Sequence, residues 1–421
     1  MTDNLNSKRF SPSDDLARPV ADSNPIPTAR HLALLDLLRG VAILLVFLCH
    51  CPPALPPRLD EAYHFPWDFT AALFSGKVSL SELALWPLFA VGQLGELGVA
   101  IFFVVSGFCI YQTYTQTTRP EARVFFVRRF FRIYPPYLLT LLILLLVFPL
   151  TRLSFTRLSD WAQIVTHLLM CHNLSSTYVD SINPVFWSLA VEIQLYLLFP
   201  LSLIWVRRAS YGRVLPLLAG IEITVRSVAL FGFAIPHHTT PAWVWAWPYV
   251  FWFSWSTGAA IADAHFNRRP LPFVRIHPLV WLGAGLMDTL VLTGQFSFTF
   301  FALFTASLIA RSLRSMRSEA KESWPLNFVR RIGIYSYSIY LIHGPILAAI
   351  ALLYVAYLPR FGTHLFRVTL ANASGWLVVF PLAALMYHSV EKPSISLGKW
   401  VILRWWPKKV TDRPREQVST A

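Results

Sequence analysis

The feature that most constrains this chain is a series of apolar runs of about 18 residues or more, separated by short basic or Pro-rich stretches. A bilayer core of about 30 Å demands that spacing of α-helices, which are the one open element able to satisfy its own backbone polar groups in lipid. The chain therefore reads as an all-α, polytopic membrane protein. Charged residues make up 14% of it, against about 25% in an average soluble domain, and an ordinary cytosolic enzyme is excluded. Spans are expected at 31–51, 97–117, 133–150, 186–206, 213–235, 243–263, 278–294, 297–312, 332–358 and 366–390. Ten spans leave both termini on one side. Residues 1–30 are polar and Pro/Ser-rich, without an apolar core or a small-residue cleavage site, and are expected to be a disordered tail and not a signal peptide. The membrane domain is expected over 31–392 and a basic tail over 393–421.

A net charge of +14 would suggest a nucleic-acid binder in a soluble protein. Under the ten-span assignment, however, 28 of the 36 basic residues fall on the side of the termini, six on the other side, and Arg39 and Arg226 inside spans. That asymmetry marks the basic side as cytoplasmic. Basic residues scattered over six segments between lipid-spanning helices leave no nucleic-acid surface. The two long external segments, 52–95 and 151–185, carry Trp67, Asp68, Glu82, Trp86, Trp161 and Asp180, a mixture suited to an aromatic interface belt or to binding a sugar. Four cysteines do not make a disulfide framework in a chain of this length. Cys49, His50 and Cys51 are consecutive in a helix, point about 100° apart and cannot converge on one ion, so no metal is expected.

Ionisable residues inside spans are costly and mark candidate sites. In LDLLRGVAILLVFLCH, Asp36, Arg39 and His50 share one helical face, with Arg39 and His50 about 16 Å apart along the axis. An Asp36–Arg39 pair neutralising itself at i,i+3 is the plain reading. In GIYSYSIYLIHGP, Ser336, Tyr340 and His343 fall on one face and Ser338 on the opposite one. A histidine that takes a proton near neutral pH is what general-base activation of a hydroxyl needs. Ser188 and Glu192 share a face of the fourth span, where Glu192 has no basic partner in its own helix and is expected to bond another helix, in a structural or a catalytic role. Trp187 reads as an interface-belt residue. Gly95, Gly98, Ser106 and Gly107 permit close helix approach or a ligand along the backbone. Arg128, Arg129 and Arg132 stand just before the third span, where they serve topology or pair with a phosphate-bearing cofactor.

Taken in order, LDLLRGVAILLVFLCH, GVAIFFVVSGFCIY, FVRRFFRIYPPY, FWSLAVEIQLYLLFP, SYSIYLIHGP and the closing EKP resemble the acyltransferase-3 family of integral-membrane acyltransferases. The resemblance runs from about Asp36 to Pro393. It matches the family's arginine and histidine separated by ten residues, here Arg39 and His50; its arginine cluster, here Arg128, Arg129 and Arg132; and its serine-serine-histidine pattern, here Ser336, Ser338 and His343. The resemblance implies a ten-helix domain in a bacterial inner membrane that moves an acyl group, commonly acetyl, from cytosolic acyl-coenzyme A to a hydroxyl of a cell-envelope glycan, glycolipid or related acceptor. Some members add a periplasmic hydrolase-like domain; the short basic tail leads to the expectation of none here. On this reading Arg39, supported by Asp36, and the 128–132 arginines pair with coenzyme A phosphates, and His50 is the general base. His343, Tyr340 or a serine hydroxyl polarises the thioester carbonyl or orients His50, and Glu192 tunes a histidine. Direct transfer and a transient acyl-enzyme are both open. The alternative from another class is a transporter or flippase of a glycan or lipid, which would also bury histidine and arginine on a polar pathway.

Overall fold

The computed structural model describes residues 29–51, 74–76, 94–115, 122–146, 153, 155–237, 240–290, 294–315, 323–357 and 364–406. The tail 1–28, most of the expected external segment 52–95 and the residues after 406 lie outside the described residues. Thirteen principal helices are described: α1 (Ala29–His50), α2 (Gly95–Thr115), α3 (Ala122–Leu146), α4 (Leu158–Leu168), α5 (Phe186–Ala209), α6 (Tyr211–Ala229), α7 (Trp252–Phe266), α8 (Pro278–Leu290), α9 (Ser297–Ser315), α10 (Trp324–Ile334), α11 (Ser336–Tyr357), α12 (His364–Met386) and α13 (Lys392–Trp405). No strand occurs among the described residues. Seven helical stretches are long and apolar enough to cross a membrane: those of α1, α2, α3, α5, α6 with its π-turn to Ala234, α11, and the combined α12–α13 stretch Leu370–Trp405.

The protein is an all-α, polytopic membrane protein in which α2 is the central strut, packed against α1, α7 and α9. The crossing of α2 and α7 is close because each presents a glycine to the other's backbone. A Cβ on Gly107 would run into the Trp255 carbonyl, and one on Gly258 into the Val104 carbonyl. Helix α7 is buried at every position from Trp252 to Ala264, so its apolar character serves protein contact and not lipid. Gly98 and Gly107 sit against neighbouring backbone, while Ser106 faces a cavity.

Several boundaries differ from expectation for local reasons. The sixth span, expected from 243, begins as a helix only at Trp252. The preceding stretch is broken into a short turn at Ala242–Trp245 and a 3-10 turn at Pro248–Val250, and the Asn173 amide holds its Ala246 carbonyl at 2.9 Å. The third helix starts at Ala122, so the three arginines expected in a loop lie on its first turns. Pro135 and Pro136 remove two backbone donors from α3 without ending it. The ninth span is divided at Tyr335 into the amphipathic α10 and the apolar α11. Beyond α12 the helix passes through a π-turn, Tyr387–Glu391, into α13, which packs along α3.

Candidate active site

Two cavities lie along α2, one at the end of Arg39 and the other at the end of His50. The arginine chamber is lined by Arg39 of α1, Ser106 and Cys109 of α2, Arg129 and Arg132 of α3, Ser188, Glu192 and Tyr196 of α5, and Ser336 and Tyr340 of α11. The histidine chamber is lined by Val46, Cys49 and His50 of α1, Glu96 of α2, Trp187 of α5, Arg226 of α6, Trp245, Phe251 and Phe298, again with Tyr340. The order of residues along α1, α2 and α11 agrees. Arg39, Cys109 and Ser336 mark one end, and His50, Glu96 and His343 the other.

In the arginine chamber the guanidinium of Arg39 donates to Asp36 Oδ1 at 2.8 Å and to Cys109 Sγ at 3.0 Å. Asp36 therefore fixes the direction of Arg39 as the i,i+3 reading expected, and Asp36 itself does not line the chamber. Arg129 donates to Thr113 Oγ1 at 3.1 Å, lies over the Tyr196 ring at 5.6 Å from its centre, and keeps a buried Nε without a partner among the described residues. A buried donor left unpaired costs free energy, so this corner carries an unmet hydrogen-bond demand. Arg132 lines the same chamber and Arg128 does not.

Glu192 reaches another helix, as expected: Ser106 Oγ donates to its Oε1 at 2.6 Å, and the Tyr196 hydroxyl donates to the same oxygen. The carboxylate is thereby locked toward α2. Of the late serines, Ser336 opens α11 and lines the chamber, whereas Ser338 points away and donates to Glu391 Oε2 at 2.7 Å. That bond ties α11 to the π-turn and gives the Glu391 of the closing EKP motif a structural partner.

At the other end the two histidines of α1 and α11 meet. His50 Nδ1 lies 2.8 Å from the Val46 carbonyl and 3.4 Å from His343 Nε2, and the rings are edge to face with centres 4.9 Å apart. His343 is fully buried, with Nδ1 2.8 Å from the Tyr340 carbonyl and 3.1 Å from that of Ile339. Carbonyls only accept, so in each neutral ring the proton is assigned to Nδ1. His343 Nε2 is then a lone-pair acceptor for the His50 Nδ1–H, which is shared with Val46. His50 Nε2 is left as a basic nitrogen with no hydrogen-bond partner among the described residues, on a residue that lines the chamber. A ring held in this way can take a proton from a hydroxyl at Nε2 and spread the resulting charge to two acceptors at Nδ1.

The histidine chamber contains residues that sequence reasoning passed over. Arg226, noted only as a charge inside a span, donates to Glu222 Oε1 at 3.3 Å and to the Gln295 carbonyl at 2.8 Å. Its guanidinium lies between Phe251 and Phe298, 5.6 Å from each ring centre. Glu222 also accepts from Ser254 and Thr299 at 2.8 and 2.6 Å. The available signal was the i,i+4 Glu–Arg spacing inside an apolar run. Glu96, at the start of α2, accepts from Ser297 Oγ at 2.5 Å. Trp187 is a half-buried chamber wall packed against Trp245 and Phe251 at 5.5 and 5.7 Å. Trp161 is exposed on α4, while Trp67, Asp68, Glu82 and Trp86 lie outside the described residues. All four cysteines are free thiols.

Comparison with known proteins bears on this geometry. The chain is 25% identical to acyltransferase MdmB of Streptomyces mycarofaciens, covering 82% of this chain and 94% of that protein. It is 26% identical to peptidoglycan O-acetyltransferase OatA of Listeria monocytogenes, over 72% of this chain and 52% of the relative. No solved structure matches it. The family described as acyltransferase domain matches residues 32–387, which contain both chambers and every lining residue named above, and the chain belongs to this acyltransferase-3 family of membrane acyltransferases.

Proposed function

We propose that the protein transfers an acyl group, in the first instance acetyl, from cytosolic acyl-coenzyme A to a hydroxyl of a cell-envelope glycan, glycolipid or related acceptor. The observation that carries this reading is the His50–His343 contact at 3.4 Å, with a free Nε2 on a chamber that adjoins an arginine-lined one. In this reading the ten spans of the sequence set the arginine chamber toward the cytoplasm of a bacterial inner membrane. Arg39, Arg129 and Arg132 pair with donor phosphates, for which the buried Nε of Arg129 and the planar guanidinium forks are suited. The acceptor hydroxyl occupies the histidine chamber and donates to His50 Nε2.

As the hydroxyl oxygen attacks the thioester carbonyl, His50 takes its proton; the C–O bond forms, the C–S bond breaks, and the proton passes to the departing thiolate. His343 acts through His50, accepting from its Nδ1–H as the ring becomes charged. No covalent enzyme intermediate is required. Glu192, held by Ser106 and Tyr196, orders the chamber wall beside Ser188 and Ser336. Family membership with proteins named as acyltransferases removes the support for a transporter without chemistry.

The test uses purified full-length protein, labelled acetyl-coenzyme A and an envelope extract as acceptor pool. Wild type is expected to transfer label and release coenzyme A, and His50→Ala to lose about 10²–10⁴-fold in rate while inserting and melting normally. Full transfer by His50→Ala would remove the proposed base.

A further inference from the structure

The two chambers are separate cavities whose common lining residues are Val99 of α2 and Tyr340 of α11. Both sides of this waist are held in place. The Tyr340 hydroxyl donates to the Val185 carbonyl at 2.8 Å and accepts from Ser188 Oγ at 2.6 Å, so the ring is pinned at two points, to α5 and to the residue just before it. Phe102, which lines the arginine chamber, meets the Tyr340 ring edge to face at 6.1 Å. The backbone that carries Val99 is held as well. Its neighbour Gly98 is pressed against α1, where a Cβ would stand 2.6 Å from the Ala42 carbonyl. Tyr340 is also next to the histidine pair, its ring centre 5.6 Å from that of His343.

We propose that Val99 and Tyr340 form the acyl-selectivity gate of the enzyme, admitting short unbranched acyl groups and rejecting branched ones. This inference rests on the acyl-coenzyme A donor reading above. A thioester entering from the arginine chamber leads with its acyl group, and its carbonyl comes level with His50 at the waist. The group passing between the valine and the phenol ring is a single methyl or methylene for a linear chain. A branch at the carbon next to the carbonyl adds a methyl at the same level, where close-packed walls cannot yield cheaply. A longer linear chain passes but projects into the chamber that the acceptor needs.

Displacement of tritiated acetyl-coenzyme A from the detergent-purified full-length chain provides the test, with coenzyme A, butyryl-coenzyme A and isobutyryl-coenzyme A as competitors. The two acyl isomers have the same atoms, so their ratio isolates branching. In the wild type isobutyryl-coenzyme A is expected to compete about tenfold more weakly than butyryl-coenzyme A, a 1.4 kcal/mol difference by the affinity relation. Val99→Ala is expected to bring the two within about threefold, with free coenzyme A unchanged. Tyr340→Phe, which keeps the ring and removes its two tethers, is expected to move the ratio in the same direction and serves if Val99→Ala does not fold. Equal competition by the isomers in wild type, or a ratio unchanged in the variants, would overturn the gate while leaving the donor reading intact. Failure of the chain to bind acetyl-coenzyme A or coenzyme A at all would overturn the donor reading and the gate with it.

Discussion

At the scale of single residues, the sequence separates the participants and the fold joins them. His50 and His343 are each legible as polar residues on an apolar helix, yet they are 293 positions apart in the chain, and no periodicity within one helix reports contact with another. The same holds for Glu192, whose need for a partner is plain from its place in a span while the identity of Ser106 is not. Ser336 and Ser338 show the reverse. Helical phase alone puts them on opposite faces, and they are found on the chamber and at Glu391 respectively. The assignment of His343 as a positioning residue has a measurable consequence. On the proposed mechanism its Nε2 stabilises the charged form of His50 through one charge-assisted hydrogen bond, worth about 1.5–3 kcal/mol, or about ten- to a hundredfold in rate. His343→Ala is expected to lower kcat by that amount, less than His50→Ala, with the donor KM little changed. The double variant should be no slower than His50→Ala alone. Additive losses in the cycle, measured by labelled acetyl transfer, would show that the two rings work independently.

Elements are read from sequence where periodic burial decides them and misread where a distant side chain does. α2 and α5 begin and end within a few residues of expectation because a long, predominantly apolar run defines each. α7 starts late because Pro248 and the Asn173 contact to Ala246 shape its approach, and neither is visible as a pattern. The α2–α7 crossing depends on backbone proximity, so Gly258→Ala is expected to force the helices apart at the Val104 carbonyl. Overpacking of this kind costs about 1–3 kcal/mol, read as a lower melting temperature of the purified protein, while Gly283→Ala on α8, where nothing lies in the way, should leave it the same or slightly higher, since alanine is the better helix former.

The α4 region adds a pH dependence. His167 and His172 stack there with ring centres 3.9 Å apart, both fully buried. Neither ring nitrogen of His172 makes a well-formed hydrogen bond among the described residues, although the Phe186 backbone lies near. Burial, and then the neighbouring His167, push His172 down to about 3 from its usual 6.5. Between those values the unfolded chain binds a proton that the folded chain refuses, so stability is complete above pH 6.5 and falls as pH drops toward 3. The melting temperature should therefore decline between pH 7 and pH 5. His172→Phe keeps the stack, has nothing to titrate, and should show a shallower decline.

For the whole molecule, the distribution of charge carries information that no single element holds. Arg39, Arg129 and Arg132 converge on one chamber, and the ten-span assignment puts 28 of the 36 basic residues, Arg129 and Arg132 among them, on one side. On the proposed topology, a positive surface toward the cytoplasm and a positive chamber beneath it form one arrangement, with the groups proposed to pair the anionic donor on the side where that donor is made. The structure describes α13 near this end, packed on α3 with Lys399 on its surface, and α4 with Trp161 exposed in the opposite segment. Sidedness can be read directly in a variant lacking Cys49, Cys51, Cys109 and Cys171, with a single cysteine returned as Lys399→Cys or Trp161→Cys. A membrane-impermeant maleimide should label Trp161→Cys in intact cells, or spheroplasts if an outer membrane blocks the reagent. Lys399→Cys should be labelled only after the inner membrane is opened. The reverse pattern would put the arginine chamber on the outer face, where cytosolic acyl-coenzyme A has no access, and the proposed direction of transfer would fall with it.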